Sequence, residues 1–155
     1  MIRLTNLADY AVLLMAEIAK GFEEKNLYSA QGLSNVTKIP ATTVSKILNL
    51  LGKADLLIST RGLKGGFTLA RSKDEISMTD IIEAIDGPIS LTHCVSTTKH
   101  DCSYEEMCGM RPHWVMINQT IREGLDKISL ASIETPKAGL ALNALLDETM
   151  ETAAE

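Results

Sequence analysis

Long apolar runs are missing from this sequence, and nothing approaches the roughly twenty consecutive apolar residues that a bilayer-spanning helix needs. No positively charged start followed by an apolar stretch and a cleavage site marks the chain for export, so the expectation is a cytoplasmic protein without a membrane partner. Aromatic residues are scarce at 4%, against 45% hydrophobic residues overall, which implies a core of Leu, Ile, Val and Ala carried on packed helices. Catalytic signatures are missing too. There is no Cys-x-x-Cys, no His-Glu-x-x-His and no glycine-rich phosphate cradle, so a zinc-dependent or thiol redox enzyme finds no support and an enzyme is not expected. Cysteine itself is rare and odd in number: the three present cannot complete a disulfide framework.

All three cysteines stand within fifteen residues, Cys94, Cys102 and Cys108, in a polar stretch that follows the turn Asp86-Gly87-Pro88. Structural cysteines belong on apolar faces, whereas these lie among Thr, Lys, His, Asp, Ser and Glu. A loop supplying three soft thiolates, with oxygen and nitrogen donors nearby, suits iron–sulfur or zinc ligation. A thiol switch or plain buried cysteines are the alternatives.

The net charge of -5 speaks against nucleic acid only as an average. Between Ser29 and Lys73 seven cations (Lys38, Lys46, Lys53, Arg61, Lys64, Arg71 and Lys73) meet Asp55 alone, so that segment carries +6 and the remainder -11. Such asymmetry points to a basic binding face on an acidic molecule. The same segment has a reader's architecture. A first helix over Leu7 to Ala19, capped by Thr5 or Asn6, precedes a short second helix capped by Ser29 and running through Leu33. A third helix begins near Pro40, with Val44, Ile47, Leu48 and Leu51 forming an inward stripe. Its other face offers Thr42, Thr43, Ser45, Lys46, Asn49 and Lys53, short polar and basic side chains suited to a major groove. Two β-prone runs within Leu57 to Leu69 then flank a tip carrying Arg61, Lys64 and Gly65-Gly66, the pattern of a hairpin wing whose Arg61 can enter a minor groove. The fold class expected is mainly α with a small β-hairpin wing: a winged helix-turn-helix that binds double-stranded DNA.

A helix capped by Ser77 closes this unit before Gly87. Beyond the cysteine segment, Trp114 to Ile128 carries apolar residues at helical spacing over about four turns. That stripe needs a partner, either its copy in a homodimer suited to a palindromic operator or its own domain. The organisation expected is therefore a DNA-binding domain over 1–87, a cysteine loop over 88–112, and a long C-terminal dimerisation helix with its tail over 113–155. A short helix over Leu140 to Leu146 and a disordered end complete it.

Met1-Ile2-Arg3-Leu4-Thr5, Asp9-Tyr10-Ala11-Val12, Arg61-Gly62-Leu63-Lys64-Gly65-Gly66-Phe67-Thr68-Leu69-Ala70 and the three-cysteine loop together resemble the Rrf2 family of bacterial regulators, which includes IscR-, NsrR- and RirA-like members. The likeness runs to about Leu130 and is greatest toward regulators of the SUF cluster-assembly operon. The resemblance implies a dimeric winged-helix transcription factor, a repressor here, whose loop holds an iron–sulfur cluster (4Fe-4S or 2Fe-2S) that alters DNA affinity. Iron- or nitric-oxide-responsive regulation on the same fold, and a zinc or thiol redox switch without a cluster, are the alternatives it leaves.

On this resemblance Cys94, Cys102 and Cys108 match the family's three cysteines, with seven and then five residues between them, where IscR-like members have five in the first gap. The histidine that completes the site in IscR-like members is replaced at its position by Arg111, and His113 lies two residues further on. NsrR-like members use an aspartate from the first helix of the other subunit, and Asp9 stands at the matching place. The resemblance thus implies Asp9 as fourth ligand, with His113 the alternative, while His93 and His100 read as solvated loop residues.

Overall fold

The computed structural model describes residues 4–24, 26–62, 64–95 and 108–134. Cys102, His100 and the expected helix over Leu140 to Leu146 with its tail lie outside these residues. Six α-helices and one hairpin are described in the order α1 (Asn6–Ala19), α2 (Ala30–Thr37), α3 (Ala41–Lys53), β1 (Leu57–Thr60), β2 (Gly66–Leu69), α4 (Met78–Asp86), α5 (Arg111–Asp126) and α6 (Leu130–Glu134), with a 3-10 turn at His93–Val95. This is a winged helix with an added long helix, mainly α as the sequence implies.

Side-chain caps set most of the boundaries. Thr5 Oγ1 accepts the Ala8 N–H at 3.2 Å, and Ser29 Oγ accepts that of Gly32 at 3.0 Å. Ser77 and Asp80 form a reciprocal capping box at the start of α4. Lys38, in the left-handed region at φ 63, ends α2 and turns the chain into α3. Val44, Ile47, Leu48 and Leu51 of α3 are buried, and they meet Leu14, Met15 and Ile18 of α1 in one core.

The wing is antiparallel, pairing Leu57 with Leu69 and Thr60 with Gly66. Tyr28 adds one further bridge, exchanging hydrogen bonds with Phe67 at 3.0 and 2.9 Å. Gly66 is required there: a Cβ on it would stand 2.8 Å from the Tyr28 carbonyl oxygen. The wing is thereby anchored to the strand-like lead-in of α2 as well as to its own turn.

After α5 the chain returns. Leu130 is fully buried in the winged-helix core, the Ser77–Ser129 bridge ties the return to the start of α4, and α6 packs on α1. Among the described residues no helix is long and apolar enough to cross a membrane.

Candidate nucleic-acid interface and cysteine site

The apolar stripe of α3 turns its polar face outward. Thr42, Ser45, Lys46, Asn49 and Lys53 are exposed along one side of this helix, at the i, i+3, i+4, i+7 and i+11 spacing of a single face, while Thr43 is more enclosed. Arg61 and Lys64 are exposed at the tip of the hairpin. An open groove runs between helix and wing, with Asn49 and Lys53 on one side and Ser59 and Phe67 on the other. Of the residues expected from the sequence to contact DNA, Thr42, Ser45, Lys46, Asn49, Arg61 and Lys64 are thus exposed, and Thr43 is half-buried.

Of the cysteines, Cys94 and Cys108 lie among the described residues, on the stretch of chain between α4 and α5. Cys94 is half-buried within the 3-10 turn, whose Val95 N–H donates to the Thr92 carbonyl at 3.2 Å, and its Sγ stands 3.1 Å from Thr92 Oγ1. Cys108, also half-buried, lies three residues before the first residue of α5. Arg111 touches both flanks. Its backbone N–H donates to the Cys108 carbonyl at 3.3 Å, and its Nε reaches the Cys94 carbonyl at a long 3.5 Å. Arg111 thus braces the backbone flanking the two cysteines. Soft sulfur donors held in a polar setting fit iron–sulfur or zinc ligation.

Asp9 is exposed in the first turn of α1, where a carboxylate is also favoured by the helix dipole, and it takes no ion pair among the described residues. His113 is exposed in the first turn of α5. Both remain open to a partner beyond this single chain.

Polar contacts that periodicity does not reveal link α1, α4 and α5. Thr5 Oγ1 donates to Asp86 Oδ1 at 2.6 Å, tying the start of α1 to the last residue of α4. Glu83 of α4 receives Arg122 of α5 in a two-pronged pair at 3.0 and 3.2 Å. The hydrogen bond and charge of Glu83, with smaller contributions from Asp126 and Asp80, raise the Arg122 pKa above its ordinary value against a lowering by burial. Thr79 donates to the Arg122 carbonyl at 3.2 Å. Asn118 of α5 holds the backbone of Ile89 and Leu91. The Asp immediately before Gly87-Pro88 was the one visible signal for such a contact, since short acidic side chains at helix ends commonly bind backbone or hydroxyl groups.

A family model described as Rrf2, iron-dependent transcriptional regulator, matches residues 4–135. The HTH-type transcriptional regulator IscR of Sodalis glossinidius (strain morsitans) is 29% identical over 137 residues, covering 84% of this chain and 78% of that one. Among solved structures, CymR (YrzC), the global cysteine regulator of B. subtilis, superposes with a TM-score of 0.67 at 25% identity, covering 86% of this chain and 97% of that one. IscR of T. potens superposes with a TM-score of 0.59 at 27% identity, covering 84% of each chain.

Proposed function

Because the chain belongs to the Rrf2 family of iron-dependent transcriptional regulators, a family of DNA-binding proteins and not enzymes, we propose that it is a homodimeric repressor of iron–sulfur cluster assembly genes of the SUF type that senses cluster status. The observation that carries the sensing half is the bracing of Cys94 and Cys108 by Arg111 at the start of α5, the helix whose other end is bonded to α4 of the DNA-binding unit. The choice of SUF-type targets is supported by overall sequence likeness.

Residues 1–87 read DNA, 88–112 hold the metal centre, and α5, at the start of 113–155, joins two copies, while the return through Leu130 packs on its own winged-helix core. Thr42, Thr43, Ser45 and Asn49 face base edges in a major groove, Lys46 and Lys64 neutralise phosphates, and Arg61 enters the adjoining minor groove. Cys94, Cys102 and Cys108 would hold an iron–sulfur cluster, with Asp9 of the partner subunit or His113 as the remaining donor. When bound, the cluster supplies iron–thiolate bonds that iron shortage, oxidants or nitric oxide can break. Asp9 is favoured because it lies exposed on a helix of the DNA-binding unit, so its engagement with the loop of the other subunit would set the spacing of the two DNA heads.

The CymR likeness favours one second reading, a cluster-free thiol switch on the same fold. Anaerobic isolation followed by an absorption spectrum and analysis of iron, sulfide and zinc separates the two. Visible absorbance with matching iron and sulfide is the expected result, and colourless protein with stoichiometric zinc, or with no metal, sinks the sensor.

A further inference from the structure

Asn118 lies half-buried in the interior of α5, a place that helices do not favour for asparagine, and it spends its side chain on another segment. Its Nδ2 donates to the Ile89 carbonyl at 2.9 Å and its Oδ1 accepts the Leu91 N–H at 3.0 Å. The amide thereby acts as a peptide group would in a strand, bonding both the acceptor of one residue and the donor of the residue two further on, and the use of both ends fixes its orientation. From the other side Glu83 Oε1 accepts the Ile89 N–H at 3.2 Å while its carboxylate holds Arg122, one turn along α5 from Asn118. The backbone at 89–91 is consequently pinned between α4 and α5.

Cys94 follows three residues later, inside a turn closed on Thr92. Arg111, whose Nε reaches the Cys94 carbonyl, stands seven residues before Asn118, two turns up the same face of α5. We propose that Asn118 is a positioning residue for the metal centre: with Arg111 it uses α5 as a template that registers the first cysteine against Cys108 before any metal binds. The proposal rests on reading the cysteine segment as metal-binding. Preorganised donors need less ordering when the ion arrives, so the clamp raises affinity and slows loss without touching the metal.

The test uses the full chain, reduced and metal-free under anaerobic conditions, titrated with Co(II) and followed by thiolate-to-cobalt charge-transfer absorbance. Parallel samples are reconstituted with iron and sulfide and timed for cluster loss. Asn118→Leu removes both hydrogen bonds at similar volume, and Asn118→Asp keeps the acceptor while setting a carboxylate against the Ile89 carbonyl. Both should weaken Co(II) binding about tenfold, the lower end of the range for outer-shell partners, and shorten cluster lifetime to a similar degree. Alkylation of Cys94 in the metal-free protein should quicken in both, while melting temperature, dimer mass and non-specific DNA binding stay at wild-type values. Wild-type Co(II) affinity and cluster lifetime in both variants overturn the role of Asn118 and leave the metal reading standing. Loss of affinity accompanied in both variants by a lowered melting temperature marks Asn118 as structural and overturns it as well. A wild-type chain that takes up neither Co(II) nor cluster overturns the metal reading and this assignment with it.

Discussion

Leu130 has no solvent exposure although it follows the long helix by only four residues, and its burial makes the C-terminal return part of the winged-helix core. Leu130→Ala should cost about 2–5 kcal/mol, the range for emptying a buried leucine site, and a urea unfolding midpoint measured against wild type checks it. Polar residues on the surface divide differently. Lys64→Ala should lower the slope of log affinity against log salt by about one unit, as for one lost phosphate contact, on operator and random duplex alike. Arg61→Ala should instead reduce the ratio of operator to random binding, and an unchanged ratio would show that the wing does not read the groove. At the proposed metal centre a carboxylate oxygen would be a harder and weaker partner for iron than thiolate, so Asp9→Ala should shorten cluster lifetime with dimerisation intact. Wild-type spectrum and lifetime in Asp9→Ala, with both lost in His113→Ala, would move the fourth ligand to the histidine. Several of these residues were legible directly: Thr5, Ser29 and Ser77 because a capping side chain needs only its neighbours, and Val44, Ile47, Leu48 and Leu51 because periodicity exposes a buried stripe. Leu130 and Asn118 were not. Leu130 bonds its N–H to the Ile76 carbonyl, and Asn118 pairs with backbone almost thirty positions away, so nothing local records either contact.

Among the elements, α5 is the one whose packing the single chain leaves incomplete. It runs for 16 residues, about 24 Å at 1.5 Å per residue, and buries none of them. Its second half is tied to α4 through Arg122 and Thr79, yet Val115 and Met116 are 50% and 62% exposed on a helix of ordinary amphipathic composition. The sequence posed the stripe's partner as either a second copy or its own domain, and the structure shows why both had weight: polar contacts join α5 to its own domain and Trp114, Ile121 and Leu125 are half-buried, while Val115, Met116 and Ile117 stay open. A second copy would cover them. Met116→Glu should raise the dimer dissociation constant at least about tenfold by placing a charge in that interface, which sedimentation over a concentration series reads out. An unshifted dimer, or a wild-type chain that is monomeric throughout, would contradict the assignment of α5 to dimerisation. The wing was the easier element to read, since Gly65-Gly66 between two β-prone runs specifies a hairpin from composition alone; its bridge to Tyr28 was hidden because a single-residue pairing leaves no pattern.

For the whole molecule, the layout joins the winged helix to a cysteine segment through a few polar links: Thr5 with Asp86, Glu83 with Arg122, and Asn118 with the backbone leading to Cys94. Charge follows the same division, with the cationic excess confined to 29–73 on a chain of net charge -5. Such a molecule can respond at one end to an event at the other only if the cysteine segment has two states that bias how the two DNA heads sit, and the bias is then a coupling free energy with a measurable size. Operator affinity determined anaerobically on one preparation, by fluorescence anisotropy before and after the cluster is removed by chelation, measures that coupling directly. The two affinities should differ by at least about fivefold, the lower bound of ordinary allosteric coupling, with dimer mass unchanged. Equal affinities for the cluster-loaded and cluster-free dimer would contradict a sensing role for Cys94, Cys102 and Cys108, whatever metal they hold.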